Sequence, residues 1–395
     1  MTPRMLAVVC LAAGLVFSST VPGGAHKGIT SPFTYNDDVY PILRDRCGRC
    51  HVTGGIAPMS LLSHSDAVPW AVSIRNELLA GHMPPGVVDG AASRVRHMPA
   101  LSAREMNVVL TWAAGGTPVG TPEKSPPPAT YNPAWSLGQP DLSLPLPVEG
   151  ALAAGERERT LEFVLPTGTS ERRWLRAVDL LPGNATMVRA ATIAVRDPAI
   201  AGTTTGIERT LALWLPGMDA IPLDGGVGFE LPPSAELVVR LFYRKTWEFE
   251  NREVRDRSIV GLYFAREPAA TLEAVRLAPP WPAGAASGAF SHVLADDVRV
   301  LGLYPETGLE NVRVRVVATR PDRTRVDLIA FHPRREWVRR YWFREPIVLP
   351  RGTEISVTAV IDDDLSLSVG SRASPMPLPT DLPSLGLTLN VISGR

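Results

Sequence analysis

The sequence predicts a multidomain protein in which a small all-α domain at the N-terminus is followed by two all-β sandwiches. Three features lead to this fold class: apolar residues at helical spacing as far as residue 116, a proline-rich stretch after it, and short runs of β-branched residues beyond residue 135. The 395 residues exceed what one small domain needs. Abundant proline (38 residues) and glycine (33 residues) favour turn-rich β structure over long helices.

The N-terminus has the pattern of a secretory signal. Arg4 supplies a positive charge, and residues 6–17 form an apolar run that is too short to span a bilayer easily. Gly23-Gly24-Ala25 offers a cleavage site, and Cys10 lacks the small preceding residues that a lipid anchor requires. The sequence therefore predicts a signal peptide over 1–25, a location in the periplasm or cell envelope, and no transmembrane segment after cleavage.

Residues 26–116 are predicted to be the all-α domain. An acidic start at Asn36-Asp37-Asp38 opens a first helix, and Asp66 is placed to cap a second that Gly81 ends. A third opens with the capping-box pattern Ser102-Ala-Arg-Glu105. These three short helices would make up a small all-α domain.

Residues 117–134 contain six prolines and are predicted to be an extended, semi-rigid linker. Beyond it, short apolar runs such as 237–243 and 312–317 are separated by Gly, Pro and Asp, with no helical pattern between them. We expect a first β-sandwich over 135–270, and a second with a C-terminal tail over 271–395.

Cys47-Gly-Arg-Cys50-His51 is a Cys-x-x-Cys-His run, the pattern by which a c-type haem is attached. The two thiols form thioethers to the porphyrin, and the adjacent imidazole becomes the proximal iron ligand. A zinc site would need two more ligands, and a redox Cys-x-x-Cys should lie in a βαβ context that is absent here. The sequence predicts one covalent haem c.

The sixth iron ligand is less tightly specified. Met83, followed by two prolines that would stiffen its loop, is the favoured residue, and Met98 before Pro99 is the rival. Met59 follows His51 too closely to reach the opposite haem face easily. A nearby histidine or an open position are the remaining options. Methionine ligation suits electron transfer, whereas an open position suits small-ligand chemistry.

Much of the first domain resembles a family of bacterial exported cytochromes c. The matching stretches are Tyr35–Val39, Cys47–His51, Gly55–Leu61, Pro69-Trp70, Met83–Pro85 and Thr111-Trp112. The resemblance favours Met83 over Met98, because a Met-Pro-Pro step recurs in that family. The family usually has Trp after those prolines, and Gly86 at this position implies a more open pocket edge.

The chain after the linker is similar to copper type II, ascorbate-dependent monooxygenases, which have the peptidylglycine hydroxylase fold of two jelly-roll sandwiches. Four stretches carry the resemblance: Trp135–Asp141, Leu181–Asn184, Asp256–Phe264 and Leu349–Thr353. It implies that the two predicted sandwiches are tandem jelly rolls, and that the cytochrome is fused to a monooxygenase-like region.

The copper ligands of that family do not carry over. Val188–Ala190 stands at the place of a His-His pair, Phe242-Tyr243 at that of a His-Tyr step, and Tyr304–Glu306 at that of a His-x-His pair. Only His292 and His332 follow residue 100, and such copper sites need several imidazoles. We therefore expect no copper and no copper monooxygenase activity.

The leading functional hypothesis is a non-enzymatic electron-transfer protein, whose β region docks or scaffolds a redox partner protein. Equal numbers of basic and acidic residues (40 each) argue against nucleic acid as a partner. One alternative is a redox enzyme with an open haem or a site near Asp362–Asp364. The other is a haem-based sensor or binding protein that uses Trp337–Trp342 as an interface.

Overall fold

A computed structural model describes residues 30–86, 88, 94–96, 100–196, 208–266, 270–277, 287–306, 312–334, 337–361 and 385–394. The predicted signal peptide, the alternative ligand Met98 and the Asp362–Asp364 run lie outside these residues. The chain is mostly β, with 42% of it in strands and 16% in helical segments. Among the described helices, none is long and apolar enough to cross a membrane.

Short helical segments lie between residues 35 and 114. They are a π-helical turn at Tyr35–Val39, α1 at Tyr40–Arg46, α2 at His64–Ala67, a 3-10 turn at Val68–Trp70, α3 at Ala71–Leu79 and α4 at Ala103–Ala114. The capping box of α4 is confirmed, since the Ser102 hydroxyl accepts from the Glu105 amide at 3.2 Å and the Ser102 amide donates to the Glu105 carboxylate at 2.7 Å. At α2 the side chain of Ser63, rather than Asp66, makes the cap.

The predicted fold class is wrong, because the described residues before position 117 do not form a separate all-α domain. The longest helix there has only 12 residues, and parts of the same segment join the β structure. Val88 pairs with Phe331 and Val95 pairs with Phe343 in isolated β-bridges. Both valines are buried in the core of the second β unit. The segment therefore completes a β core besides forming its own helical cluster.

The described residues of the first β unit form eleven strands. They are β1 Leu142–Pro145, β2 Gly150–Leu152, β3 Glu158–Pro166, β4 Arg173–Leu181, β5 Val188–Arg196, β6 Glu208–Trp214, β7 Val227–Leu231, β8 Glu236–Arg244, β9 Val254–Asp256, β10 Ile259–Phe264 and β11 Ala270–Thr271. One sheet has the order β1-β10-β4-β7-β11 and another β3-β8-β5-β6, with β2 and β9 as a separate pair. Side chains of both larger sheets, such as Ile193 and Leu262, share one buried cluster.

In the second β unit, the part of the chain that the structure describes forms eight strands in two four-stranded sheets. They are β12 Glu273–Leu277, β13 Ser287–Val293, β14 Val298–Pro305, β15 Val312–Thr319, β16 Arg325–Phe331, β17 Tyr341–Leu349, β18 Glu354–Ile361 and β19 Leu387–Ser393. The sheet orders are β12-β19-β14-β17 and β13-β18-β15-β16. Along β15, valines 312, 314 and 316 are buried while the arginines between them are exposed, so one strand face forms the core.

Residues 117–134 lie against the helical segment. The Pro118 carbonyl accepts from the Tyr35 amide at 2.9 Å, and Thr130 forms a parallel bridge with Thr53. Asp37 accepts from the Thr121 amide at 2.9 Å and pairs with the Lys124 amine at 2.7 Å. The proline-rich stretch is thus tied to the residues that precede it at several points.

Candidate functional site

The Cys-x-x-Cys-His run forms a tight turn at the end of α1. The Cys47 amide donates to the Leu43 carbonyl at 2.9 Å, and the His51 amide donates to the Cys47 carbonyl at 2.9 Å. Gly48 suits this turn, because a Cβ there would lie 2.6 Å from the backbone oxygen of Arg44. The local sequence therefore brings the two thiols and the imidazole into one compact turn.

Both cysteines are free thiols, and both side chains are half-buried. Burial raises the pKa of the Cys47 thiol to about 12, and the nearby Cys50 adds to the rise. Burial likewise raises the pKa of the Cys50 thiol to about 11, against the opposing charges of Arg189 and Arg49. These surroundings favour an uncharged sulfur, as a thioether is, over a thiolate.

His51 has one ring nitrogen held by the backbone. Its Nδ1 lies 3.3 Å from the Met59 carbonyl oxygen, and burial lowers the pKa of the imidazole. When Nδ1–H donates to a carbonyl, the ring is fixed in the tautomer that leaves Nε2 available to a metal. The donor set of a c-type haem therefore fits these residues: two sulfurs and an imidazole with its second nitrogen anchored.

The other histidines of this segment have different partners. His64 Nε2 is 2.8 Å from the Thr117 carbonyl oxygen, and His82 Nδ1 is 2.9 Å from the Glu77 carboxylate. Within the ranges the structure describes, there is no group of three or more His, Cys, Asp or Glu side chains arranged to hold a metal ion. Haem attachment does not depend on such a group, whereas the zinc alternative does.

Met83 contacts the apolar cluster around the turn. It is half-buried, and it packs with Cys47 and Met59 on a core that includes Leu43 and Trp112. Met106, which α4 contributes, packs on the same cluster. Met83 and Cys47 therefore pack on the same apolar cluster, and the role of Met83 as sixth ligand stays a prediction.

The expected open edge at Gly86 is filled by another side chain. A Cβ on Gly86 would lie 2.7 Å from Cδ of Arg339, and the Gly86 φ angle is +76°. Arg339 is almost completely buried. Glycine therefore allows an arginine of the β region to pack where a larger residue would block it.

The sequence did not predict that the Cys47–His51 turn contacts the first β unit. Arg49 Nη1 is 2.6 Å from the Asp219 carboxylate and 3.3 Å from the Gly217 carbonyl oxygen. The Cys50 sulfur lies 3.6 Å from the Pro216 carbonyl oxygen. The contacting residues are more than 160 positions apart in the chain, so no local sequence pattern predicts this contact.

The positions that correspond to copper ligands in the resembled monooxygenases, Val188–Ala190, Phe242-Tyr243 and Tyr304–Glu306, hold no histidine. Ala190 and Phe242 are buried in a small apolar cluster with Leu215 and Val338. The Tyr243 hydroxyl donates to the buried Asp256 carboxylate at 2.9 Å. These groups do not fit a copper site, and the expectation of no copper stays a prediction.

The segment Trp337–Trp342 turns inward. Arg339 and Arg340 are both buried. The Arg340 guanidinium donates to the Leu211 and Thr210 carbonyls at 2.7 and 2.8 Å, and it lies over the ring of Trp342. This segment therefore serves internal packing between the two β units, which weakens its interpretation as a surface for partners.

Comparisons with known proteins identify no relative in sequence. No protein-family model matches the chain, and no curated protein matches it.

Three solved structures illustrate the structural comparison. The T=1 particle of Penaeus vannamei nodavirus is 11% identical, with 64% of this chain and 97% of that chain covered and a TM-score of 0.16. The infectious bursal disease virus VP2 subviral particle is 11% identical, with 64% and 72% covered and a TM-score of 0.17. A β-porphyranase of Bacteroides plebeius is 8% identical, with 60% and 35% covered and a TM-score of 0.14. Similarities this low carry no argument about fold or function.

Proposed function

We propose that the protein is an exported c-type cytochrome that carries one covalent haem and transfers single electrons. The observation that supports this most is the anchored His51 ring, whose Nδ1 faces the Met59 carbonyl at 3.3 Å beside two half-buried thiols. Haem c is the group whose donor set matches two such thiols followed directly by an imidazole. When bound, it supplies one-electron cycling of its iron.

The proposal gives a role to Cys47, Cys50 and His51 of the turn and to Met83. Cys47 and Cys50 attach the porphyrin, His51 presents Nε2 as the proximal ligand, and Met83 is the sixth ligand. Tyr35 and Trp112 are fully buried in the apolar cluster against which Cys47 and Met83 pack. Methionine and histidine ligation together raise the reduction potential, which suits an electron carrier.

The β region is proposed to dock or scaffold a redox partner protein without a metal of its own. Its former ligand positions are occupied by Ala190, Phe242 and other groups that do not bind copper. A fold can lose a site and persist, because activity depends on particular residues. Metal analysis of the purified holoprotein should find about one iron per chain and little copper. Tightly held stoichiometric copper would contradict this role.

Optical spectroscopy of the holoprotein tests the haem ligation. The wild type should show a six-coordinate, low-spin haem with the weak absorption band of a methionine–iron bond, and Met83→Ala should abolish that band. Met106→Ala is the matched control, because it removes the same side chain from the same cluster and should keep the band. A five-coordinate wild-type haem that binds carbon monoxide readily would overturn electron transfer as the function.

A further inference from the structure

The haem-binding turn is followed by a loop that folds back over it. The Ala57 amide donates to the Cys50 carbonyl at 3.2 Å, and the Leu61 amide donates to the His51 carbonyl at 3.0 Å. Between these two contacts, the Met59 carbonyl faces His51 Nδ1. The position of this loop, residues 52–61, therefore sets the orientation of the imidazole ring.

Arg189 of strand β5 reaches this loop from the first β unit. Its Nη1 donates to the carbonyl of Ile56, which is buried. On its own side, Arg189 Nε donates to the Arg244 carbonyl at 3.0 Å, and Nη2 is 3.4 Å from the Thr186 carbonyl oxygen. The guanidinium is thus held by the β unit on one side and holds the loop on the other.

We propose that Arg189 is a positioning residue for the haem: it fixes the loop that orients His51, and its charge raises the reduction potential of the iron. This inference rests on the proposed function. Arg189 lies in the Val188–Ala190 stretch, where the resembled monooxygenases have copper-binding histidines. In this chain the position would serve the haem, so the first β unit would form one wall of the haem site.

Two physical effects act in the same direction. A partner that fixes the orientation of a ligating histidine tunes the metal it binds, and a loosened loop admits water that stabilises the more highly charged ferric form. A fixed positive charge nearby favours the ferrous form, which carries one positive charge fewer. Loss of Arg189 should therefore lower the potential through both effects.

Redox titration of four holoproteins tests the proposal. Arg189→Gln should retain covalent haem and show a lower reduction potential than the wild type. Arg189→Lys keeps the charge but lacks the planar fork of donors, so its potential should lie between the two. Arg196→Gln is the control, because Arg196 lies on the same strand and pairs with Glu208 at 2.9 Å. Its potential should equal that of the wild type.

The outcomes separate the two proposals. If Arg189→Gln carries a full complement of haem at the wild-type potential, the role of Arg189 is wrong while the cytochrome function stands. If the wild type itself carries no covalent haem, the function proposal fails and this inference fails with it. Should Arg189→Gln not accumulate, Arg189→Met keeps the packing of the side-chain stem, and an unchanged potential in that variant would be equally decisive.

Discussion

The substitution Gly217→Ala is the most exacting test of the contact between the Cys47–His51 turn and the first β unit. The Gly217 φ angle is +74°, a left-handed conformation that costs about 1–2 kcal/mol for a residue with a side chain. A Cβ at this position would also lie 2.8 Å from the Cys50 sulfur and 3.2 Å from Cβ of Arg49. Relieving such overpacking costs about 1–3 kcal/mol. Gly217→Ala should therefore lower the free energy of unfolding by about 2–5 kcal/mol.

Gly155 provides a matched control. Its φ angle is +78°, and no atom lies within 4 Å of the position a Cβ would occupy. Gly155→Ala therefore carries the backbone cost of about 1–2 kcal/mol without the steric one. The difference between the two variants isolates the contact with Cys50, and it should amount to about 1–3 kcal/mol.

Urea unfolding of both variants, followed by tryptophan fluorescence, measures this difference. A double-mutant cycle in haem-free protein sharpens it, because Cys50→Ala removes the sulfur that the new methyl group would meet. In that background the cost of Gly217→Ala should fall towards that of Gly155→Ala. Equal losses for the two glycine variants in the unmodified background would show that the turn does not pack on the Pro216–Asp219 loop, and the reasoning would be refuted.

Two further substitutions test the contacts that join the parts of the chain. Arg340→Lys should lower the free energy of unfolding by about 1–3 kcal/mol. Lysine cannot stack on the ring of Trp342 and at the same time donate to the carbonyls of Leu211 and Thr210. An unchanged urea midpoint would contradict this prediction. The Lys124 amine and the Thr121 amide hold the pKa of the Asp37 carboxyl well below its usual value of 3.8. The ionised carboxylate therefore stabilises the folded protein fully above about pH 3.8, the pKa of the unfolded chain. This stabilisation is lost as the pH falls through the lower pKa of the folded state. Asp37→Asn should therefore have a lower urea midpoint than the wild type at pH 7, and the two midpoints should converge at the most acidic pH values. A difference in urea midpoint that does not change with pH would count against the ion pair.

The sequence predicted the parts of this fold that depend on near neighbours. The capping box at Ser102 and the turn at Cys47–His51 were both readable, because their hydrogen bonds join residues three or four positions apart. The error in fold class came from residues with no local signal. Val88 and Val95 lie in a stretch between helices that has no strand-like alternation, and only their pairing with strands of the second β unit reveals that they belong to its core.

The contact of Arg189 with the loop at residues 52–61 is a second feature that local sequence patterns could not predict. An arginine in a strand of β-branched residues is ordinarily interpreted as a solvated position, and its partner carbonyl is 133 residues away. Yet this contact links the proposed role of the β region to the chemistry of the turn. If Ile56 is held by Arg189 and His51 is oriented by the same loop, the first β unit cannot be only a platform for a partner protein. It would then be part of what sets the reduction potential of the proposed haem.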